Sequence, residues 1–469
     1  MRRLDRLFPP TTTAPDWSDH RSEGNRLLAS RAVIRLRSIS SPDLLLRLPA
    51  LALSCAILAC PATHAPVSTD LATGSIQPVP LDRAFDDFAA ALQETIATIR
   101  ADPAFDTDRH RAAGALYWAQ MLLRTVEDDL IQDPDFPMFR IVDHRIREGA
   151  DNPDQRYLFS PIRGGAPYRI WGHKLEERRL EVQIYAGLPW APSGGRIVGV
   201  LSDESIEVAK DGSFEIMMGG EPLESNWLPN PETSTMVMVR QIYSDWPEGI
   251  GDVHIDRIGR EGSLKPALSS ADMAARLERA AANLREIVPL WPRFGRERYT
   301  MKTPNTLTPP WDPGAGGGVV GRLMSLGNFA LAPDEALVLT TWPAAGNYQG
   351  VQLTDVWTSS LEYANRQTSL TADQAHQSED GGFRFVIAHR DPGVQNWLDT
   401  TGLERGFILL RFDGVQGVAI PEHQWPRLEL VPFEQIRDAL PSETPSFTEE
   451  QRRRAIEDRR RHVQRRFGI

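Results

Sequence analysis

The stretch FRFVIAHRDPGVQNWLDTTGLERGFILLRFDG, residues Phe383–Gly414, decides the fold. Its first six residues alternate large apolar side chains with others, which predicts a β-strand with one buried face. The strand must end at Pro392–Gly393, because proline has no N–H for a sheet ladder and glycine permits a sharp bend. A second apolar run, Gly406–Phe412, predicts another strand. The stretch therefore predicts two strands that frame a loop at the rim of a sheet.

Side chains suited to chemistry crowd this loop, and loops on a rigid scaffold often carry functional groups. We predict that Asp391 is a general base or nucleophile and that His389 carries protons. Trp357 and Trp397 are predicted to stack against a ligand, and Arg366 to clamp an anion. Further ligand contacts are predicted from four neighbouring polar or aromatic residues: Tyr348, Asp355, Arg390 and Asn396.

The same residues also have an architectural interpretation. Asp391 would cap the turn, Arg390 would pair with it, and Trp397 would fill the core. The functional interpretation predicts that these groups converge on a concave pocket. The architectural one predicts that each group is satisfied within a closed rim.

The remaining chain has a β-rich middle flanked by helices. Short apolar or alternating runs separated by turn residues fill 155–258 and recur from 336 to 431, which predicts two β-sandwich modules. Helical spacing of apolar residues predicts a hairpin of helices over 81–135 and a helix that begins at Ser270 and is ended by Pro289. Thr448 and Gln451 form a capping box for an arginine-rich C-terminal helix.

The C-terminal helix has one thin apolar seam of Ile456, Val463 and Phe467. Its arginines could contact anionic lipid. The alternative is a solvated helix that docks by its apolar seam alone.

Four segments resemble an uncharacterised bacterial family, domain of unknown function twelve-fourteen. They are GADNPDQRYLFSPIRGGAPYRIWG (149–172), NWLPNPETSTMVMVRQIYSDW (226–246), GNYQGVQLTDVW (346–357) and HRDPGVQNWLDT (389–400). The resemblance covers Leu81 to Phe433 and implies that the two antiparallel β-sandwich modules are jelly-roll-like. It implies no particular activity, because a fold alone does not fix a function.

The chain is predicted to consist of seven segments. They are a disordered extension with an export signal (1–65), a linker (66–80), the helical hairpin (81–135), the first β-sandwich module (136–268), a helix with a Gly/Pro-rich loop (269–335), the second β-sandwich module (336–435) and a basic C-terminal helix (436–469). The predicted fold class is mainly β.

The N-terminal apolar run predicts export. Cys55 and Cys60 lie in a short apolar stretch that basic residues precede, as in a secretory signal, and the stretch is too short for a comfortable membrane span. Ile57–Cys60 resembles a lipoprotein cleavage box with Cys60 as the lipidated residue, although Leu58 stands where a smaller residue is usual. The alternative is cleavage near Ala65. We predict an exported protein, periplasmic or anchored to the membrane by lipid.

The composition of the chain restricts the classes of molecule that it is expected to bind. With 52 Lys plus Arg against 63 Asp plus Glu, the net charge of −11 argues against nucleic acid. There is no cysteine beyond Cys60, no Gly-x-Ser-x-Gly elbow, no phosphate loop and no His-Glu-x-x-His, so we predict no cofactor and assign no metal ligands. The Asp and Asn residues of the turn at 149–154 are expected to bond neighbouring backbone N–H groups, and a calcium site there is the alternative, so the metal content stays open. The oligomeric state stays open.

The leading functional prediction is an envelope protein that binds a carbohydrate or another polar small molecule. If the protein is an enzyme, a glycosidase-like hydrolase or a lyase is expected. One alternative is a non-catalytic envelope scaffold lipoprotein. Another is an enzyme that acts on a hydrophobic small molecule, which would require an apolar cavity.

Overall fold

The computed structural model describes residues 80–188, 190–298, 303–314, 318–415 and 417–468. These residues all belong to one compact unit, Ser75–Ile469. The predicted export signal, Cys60 and nearly all of the predicted linker lie outside the described residues. Among the residues that are described, no helix combines the length and the apolar character that a membrane span requires. The predicted mainly β fold is confirmed.

The first sandwich consists of a five-stranded and a four-stranded sheet. The five-stranded sheet has the order β1-β2-β8-β4-β5 and the other has the order β7-β6-β3-β9. The strands are β1 Arg140–Val142, β2 Gln155–Pro161, β3 Tyr168–His173, β4 Arg179–Ala186, β5 Arg196–Leu201, β6 Ser213–Met218, β7 Trp227–Leu228, β8 Met236–Ile242 and β9 Asp252–Arg257.

Period-two alternation builds the core of the first sandwich. On β3, Tyr168 and Ile170 point inward while their neighbours are more exposed. Ile170 lies opposite Ile216 of β6 and Ile255 of β9. These side chains meet buried residues of the facing sheet, such as Val182, in one apolar cluster. The core thus follows directly from the alternation in the sequence.

The second sandwich consists of two four-stranded sheets, with the orders β10-β16-β12-β13 and β15-β14-β11-β17. Its strands are β10 Arg322–Ala330, β11 Glu335–Thr341, β12 Tyr348–Thr354, β13 Ser369–Thr371, β14 Phe383–Ala388, β15 Trp397–Asp399, β16 Arg405–Asp413 and β17 Arg427–Pro432. Most pairs are antiparallel, and the pair of β14 with β15 is parallel.

The two strands predicted from the opening stretch are both present, as β14 and β16. They belong to different sheets, so the stretch between them crosses from one layer of the sandwich to the other. Phe385 and Ile387 of β14 meet Leu410 and Phe412 of β16 in the apolar core between the layers. This crossing explains why one short stretch indicates the whole second module.

A helical layer packs beside both sandwiches. It contains α1 Pro80–Ala101, α2 Asp108–Thr125 with a π-helical continuation Val126–Ile131, and α3 Ser270–Arg298. Trp357 of the second module is fully buried among these helices. A Cβ atom on Gly114 of α2 would lie 2.5 Å from the indole of Trp357. Only glycine therefore allows this close approach of helix and ring.

The prediction that Pro289 ends the helix after Ser270 is wrong, because α3 continues through Pro289 and Pro292 to Arg298. A proline inside a helix leaves the carbonyl four residues earlier without its usual donor. For Pro292 that carbonyl is Val288 O, and the buried Tyr117 hydroxyl donates to it at 3.0 Å. A tertiary hydrogen bond thus satisfies the group that the proline leaves free.

The chain ends with a short helix α4, Ile436–Ala439, and with α5, Glu449–Phe467, which begins with the predicted capping box. The seam of α5 is wider than predicted, because three arginines and a histidine are buried beside its apolar residues. Arg452 donates to Gln395 O at 3.2 Å and Arg459 donates to Ser369 O at 2.6 Å. Arg452 and Arg459 thus satisfy backbone carbonyls of the second module instead of facing solvent or lipid.

Candidate functional site

Asp391, the predicted general base, serves the turn and the C-terminal helix. Its Oδ1 accepts a hydrogen bond from Gly393 N at 2.8 Å, and its Oδ2 accepts one from Arg452 Nε at 2.9 Å. The guanidinium of Arg452 also lies 5.2 Å from the ring centroid of Trp397. The carboxylate and the indole are therefore engaged in docking α5.

The other predicted site residues of the segment 389–397, which we call the bend, each contact a different partner. His389 Nδ1 lies 2.7 Å from Thr400 Oγ1, and Arg390 pairs with Glu434 at 3.2 Å. Trp397 is buried and donates to Ala388 O at 3.1 Å. Asn396 is buried and bonds both backbone groups of His376.

The remaining predicted residues lie away from the bend or in the core. Arg366 pairs with Asp399 at 2.7 Å. The Trp357 indole donates to His110 O at 2.9 Å inside the helical layer. Tyr348 and Asp355 are buried at the junction between the two sandwiches. The structure does not bring the predicted groups around one pocket, so their catalytic and binding roles stay predictions that this geometry does not support.

A different concave site lies where the two sandwiches and the helical layer meet. The cavity has a volume of about 410 Å³, within the range usual for small-molecule sites. We call it the junction cavity. Strands β2, β8, β10 and β16, the turn at 149–151, helix α3 and four residues between α3 and β10 all contribute to its wall. These four residues, Trp311, Pro313, Gly318 and Val319, belong to the Gly/Pro-rich segment predicted from the sequence.

Five arginines and three carboxylates, those of Glu148, Asp151 and Glu297, form the polar part of the junction cavity. Arg322 of β10 is paired through two hydrogen bonds with Asp413, one of them 2.6 Å long. Arg240 of β8 is paired with Glu181 at 3.0 Å. Both guanidinium charges are thus neutralised by a buried carboxylate, as buried charges require.

Arg411 of β16 is the exception among the buried arginines of the cavity wall. It is only 5% exposed, donates to Gln352 Oε1 and Ala150 O, and leaves Nε without a partner. Within the described residues, no carboxylate forms an ion pair with it. A buried guanidinium held only by neutral groups is electrostatically unsatisfied. The cavity wall therefore carries a positive charge that has no counter-charge in contact.

Aromatic rings form much of the apolar wall. The rings of Trp190 and Trp291 lie 5.6 Å apart, and Phe294 packs edge-on against Trp291 at 5.8 Å. Trp311 is 37% exposed and marks the solvent side of the cavity. Rings in this arrangement offer flat contact surface for a ring-shaped or apolar ligand body.

The turn at 149–154 joins the cavity to the second sandwich. Asp151 accepts from Ser360 N at 3.0 Å and from Ser360 Oγ at 2.7 Å. Asn152 and Asp154 both bond the Tyr348 hydroxyl, at 2.9 and 2.8 Å. The turn therefore positions Asp151 at the cavity wall through contacts with the other module.

Strained backbone accompanies these contacts. Ala150 and Thr358 both have positive φ, 57° and 64°, which is uncommon for residues with a Cβ atom. Ala150 N donates to Thr358 O at 2.7 Å, so the two strained turns hold each other. Such strain persists where the surrounding structure over-determines the backbone, and it is frequent at functional sites.

Two buried carboxyl groups near this junction are shifted towards the protonated form. Burial raises the pKa of Asp151 to about 6, against the opposing effect of the Ser360 hydrogen bonds and of Arg147 and Arg411. Burial also raises the pKa of Asp355 to about 7. Asp151 borders the cavity, so it can gain or lose a proton there near neutral pH. No group of three or more His, Cys, Asp or Glu side chains in the described ranges is arranged to hold a metal ion.

The sequence contains a signal for the junction cavity, namely arginines within apolar strands, which the prediction centred on the bend did not use. Arg411 interrupts the apolar run FILLRF, and Arg240 interrupts the run MVMVRQI. A charged residue within a strand that reads as buried requires a partner or a ligand. Both runs and the turn at 149–154 lie in the region that carries the family resemblance.

Comparison with known proteins agrees with this resemblance. Residues 192–246 match the family model described as a protein of unknown function, DUF1214. The predicted resemblance to this family is thereby confirmed over that segment. No curated protein sequence matches the chain significantly.

One solved structure has a similar fold. A crystal structure of an uncharacterised protein from Burkholderia cenocepacia is similar at 28% identity with a TM-score of 0.68, covering 75% of this chain and 97% of that chain. The VPA0106 protein from Vibrio parahaemolyticus matches at 11% identity with a TM-score of 0.40, covering 75% of this chain and all of that chain. The second likeness is too distant to support any inference.

We expect Asp391→Ala to lower the free energy of unfolding by about 1–3 kcal/mol, because it removes the partner of the buried Arg452 guanidinium. Glu434→Ala is the matched control, since its pair with Arg390 is exposed and should contribute little. Urea unfolding of both variants measures the difference. Equal, negligible losses would show that Asp391 does not hold α5.

Asp355→Asn should flatten the pH dependence of stability. Folded Asp355 keeps its proton up to about pH 7, whereas the unfolded chain loses it near its ordinary pKa, so the free energy of unfolding falls as the pH rises between the two values. The amide can keep both bonds that Asp355 Oδ1 accepts, from Trp357 N and Ser359 N. We expect the variant to gain about 1–3 kcal/mol over wild type at pH 8 relative to pH 4.

Urea unfolding at several pH values tests this prediction, with the exposed Asp438→Asn as control. If the Asp355→Asn and wild-type curves keep a constant separation from pH 4 to pH 8, the carboxyl does not titrate as described.

Proposed function

We propose that the junction cavity binds a small organic anion. A ring-shaped or apolar body would pack against Trp190, Trp291 and Phe294, and a carboxylate or phosphate would lie against Arg411. The observation that carries this proposal is the buried Arg411 guanidinium, which lines the cavity without a paired carboxylate.

Energetics support an anion rather than a neutral ligand. A buried charge that has no opposite charge in contact is costly, and an anionic ligand in contact with it would offset part of that cost on binding. Arg322 and Arg240 already have Asp413 and Glu181 as partners, so Arg411 is the arginine that gains most. Planar guanidinium groups also suit carboxylate and phosphate geometry.

This proposal narrows the predicted ligand classes to their acidic members. A carbohydrate ligand would be an acidic sugar, which has a ring for the indoles and a carboxylate for Arg411. A hydrophobic ligand would be an aromatic or isoprenoid carboxylate. The proposal favours ligand binding over a purely non-catalytic scaffold, because Arg411 lines a concave space of about 410 Å³ beside aromatic rings, whereas the buried Arg459 of α5 does not.

If the protein is an enzyme, Asp151 is our candidate for proton transfer. Its raised pKa of about 6 suits a group that must accept and donate a proton near neutral pH. Tyr157 also lines the cavity, and its hydroxyl accepts from Asn152 N at 3.1 Å, which leaves the phenol proton free for a ligand. Asp151 and Tyr157 could serve as proton-transfer groups in either a hydrolysis or an elimination reaction.

The experiment is a thermal-shift and calorimetric screen of residues 66–469 with acidic sugars, aromatic carboxylates and isoprenoid carboxylates. We expect one class to raise the Tm of wild type, and Arg411→Met to weaken that binding by about 10- to 100-fold, as loss of one charge-assisted contact should. Arg459→Met is the matched control: it also removes a buried arginine but lies away from the cavity.

The two variants separate binding from stability. Arg459→Met should lower the Tm without changing affinity. If Arg411→Met binds the same ligand as tightly as wild type does, Arg411 is architectural and the proposed function is wrong.

We further propose that the protein is exported and anchored by a lipid on Cys60, as the N-terminal sequence predicts. In a bacterial host, wild type should incorporate labelled fatty acid and fractionate with membranes, and Cys60→Ser should do neither. Incorporation that persists in Cys60→Ser, or a wild-type protein that stays in the cytosol, would contradict this.

A further inference from the structure

A second concave region adjoins the junction cavity. It is a groove of about 1130 Å³ between the π-helical end of α2, helix α3, the loop at 260–268 and the far end of β2. We call it the outer groove. Arg124, Phe159 and Leu188 line both the groove and the cavity. The two spaces are thus neighbours that share one layer of side chains.

The side chains of that shared layer have different partners, and Leu188 packs against the apolar cluster of the helical layer. Arg124 Nε lies 3.0 Å from Glu148 Oε1, and Arg140 stacks over the Phe159 ring at 4.8 Å. Leu188 lies just after β4, outside any strand, and is partly exposed. A ligand that reaches past Leu188 would connect the two spaces without breaking either sheet.

The outer groove differs in charge from the cavity. As many basic as acidic side chains line it, and several are already paired. Asp133 lies 3.2 Å from Lys265 and 3.4 Å from Arg276, and Asp129 accepts two hydrogen bonds from Asn283. Paired groups of this kind offer hydrogen bonds without attracting a net charge.

Apolar surface lies between these polar groups. Ile131 is 63% and Leu268 is 58% exposed, and both line the groove with the half-buried Phe136. Exposed apolar side chains beside paired polar groups fit a neutral ligand that has both hydroxyl groups and apolar faces. Neutral sugar units have this character, whereas a simple alkyl chain would cover the polar groups of the groove without forming hydrogen bonds to them.

We propose that the outer groove is a second subsite, which binds neutral sugar units joined to the acidic unit held in the junction cavity. The inference rests on the proposed function and narrows its ligand to an acid-terminated oligosaccharide or glycoside. Arg411 binds the acidic end of the ligand, and the length of the groove determines how many neutral sugar units can be bound.

The test is calorimetry with glucuronate alone and with glucuronate linked to one, two or three neutral hexoses. We expect affinity to rise by about tenfold or more from the monosaccharide to the longest compound. Leu268→Trp should fill the groove and remove most of that gain while leaving the affinity for glucuronate unchanged. Leu264→Trp is the matched control, because Leu264 lies in the same loop, is 93% exposed and does not line the groove.

Each outcome decides between the two proposals. If glucuronate and its hexose-linked derivatives all bind with the same affinity, the second subsite is wrong and the proposed function is unaffected. An equal gain for alkyl glucuronides of matched length overturns the assignment to sugars. If none of the compounds binds wild type, both the acidic-sugar ligand and the subsite are wrong.

Discussion

The hydrogen-bonded joint between the turn at 149–154 and the second sandwich is the constraint on which the rest of the structure depends. Asp151 bonds Ser360, while Asn152 and Asp154 bond Tyr348, so one short turn ties the two sandwiches together. The groups are buried, and buried polar groups must be paired with good geometry. The relative position of the modules, and with it the shape of the junction cavity, follows from this pairing.

The same joint creates the chemical character of the cavity. Ala150 O and Gln352 hold the Arg411 guanidinium at the wall, and neither partner carries a charge. Burial in the same place shifts the pKa of Asp151 upward. A positive group that forms no ion pair thus lies near a carboxyl group that can exchange a proton. The positive φ of Ala150 is a further local cost that the joint maintains.

Most of the fold could be predicted from the sequence, because alternation and helical spacing are local signals. Strand β14 and the capping box of α5 follow from neighbouring residues alone. The course of α3 through Pro292 could not be predicted, because its free carbonyl is satisfied by Tyr117, which is distant in the chain. Long-range partners of this kind leave no mark in a local pattern.

The partners of the predicted site residues could not be predicted for the same reason. Asp391, His389 and Trp397 lie close together in the sequence. In the structure, Arg452 of the last helix forms an ion pair with the Asp391 carboxylate and lies over the Trp397 indole. Arg411 carried the better signal, as a charged residue inside an apolar strand. That signal becomes specific only when the structure shows that Arg322 and Arg240 have carboxylate partners and that Arg411 has none in contact.

The most direct measurement is a crystal structure of the protein soaked with 4-bromobenzoate, whose bromine is located by anomalous scattering. We predict that the bromine lies inside the junction cavity against the aromatic wall, with the carboxylate about 3 Å from the Arg411 guanidinium. A cavity that contains only ordered water while bromine occupies other sites, or a carboxylate that binds away from Arg411, would contradict the anion-binding role.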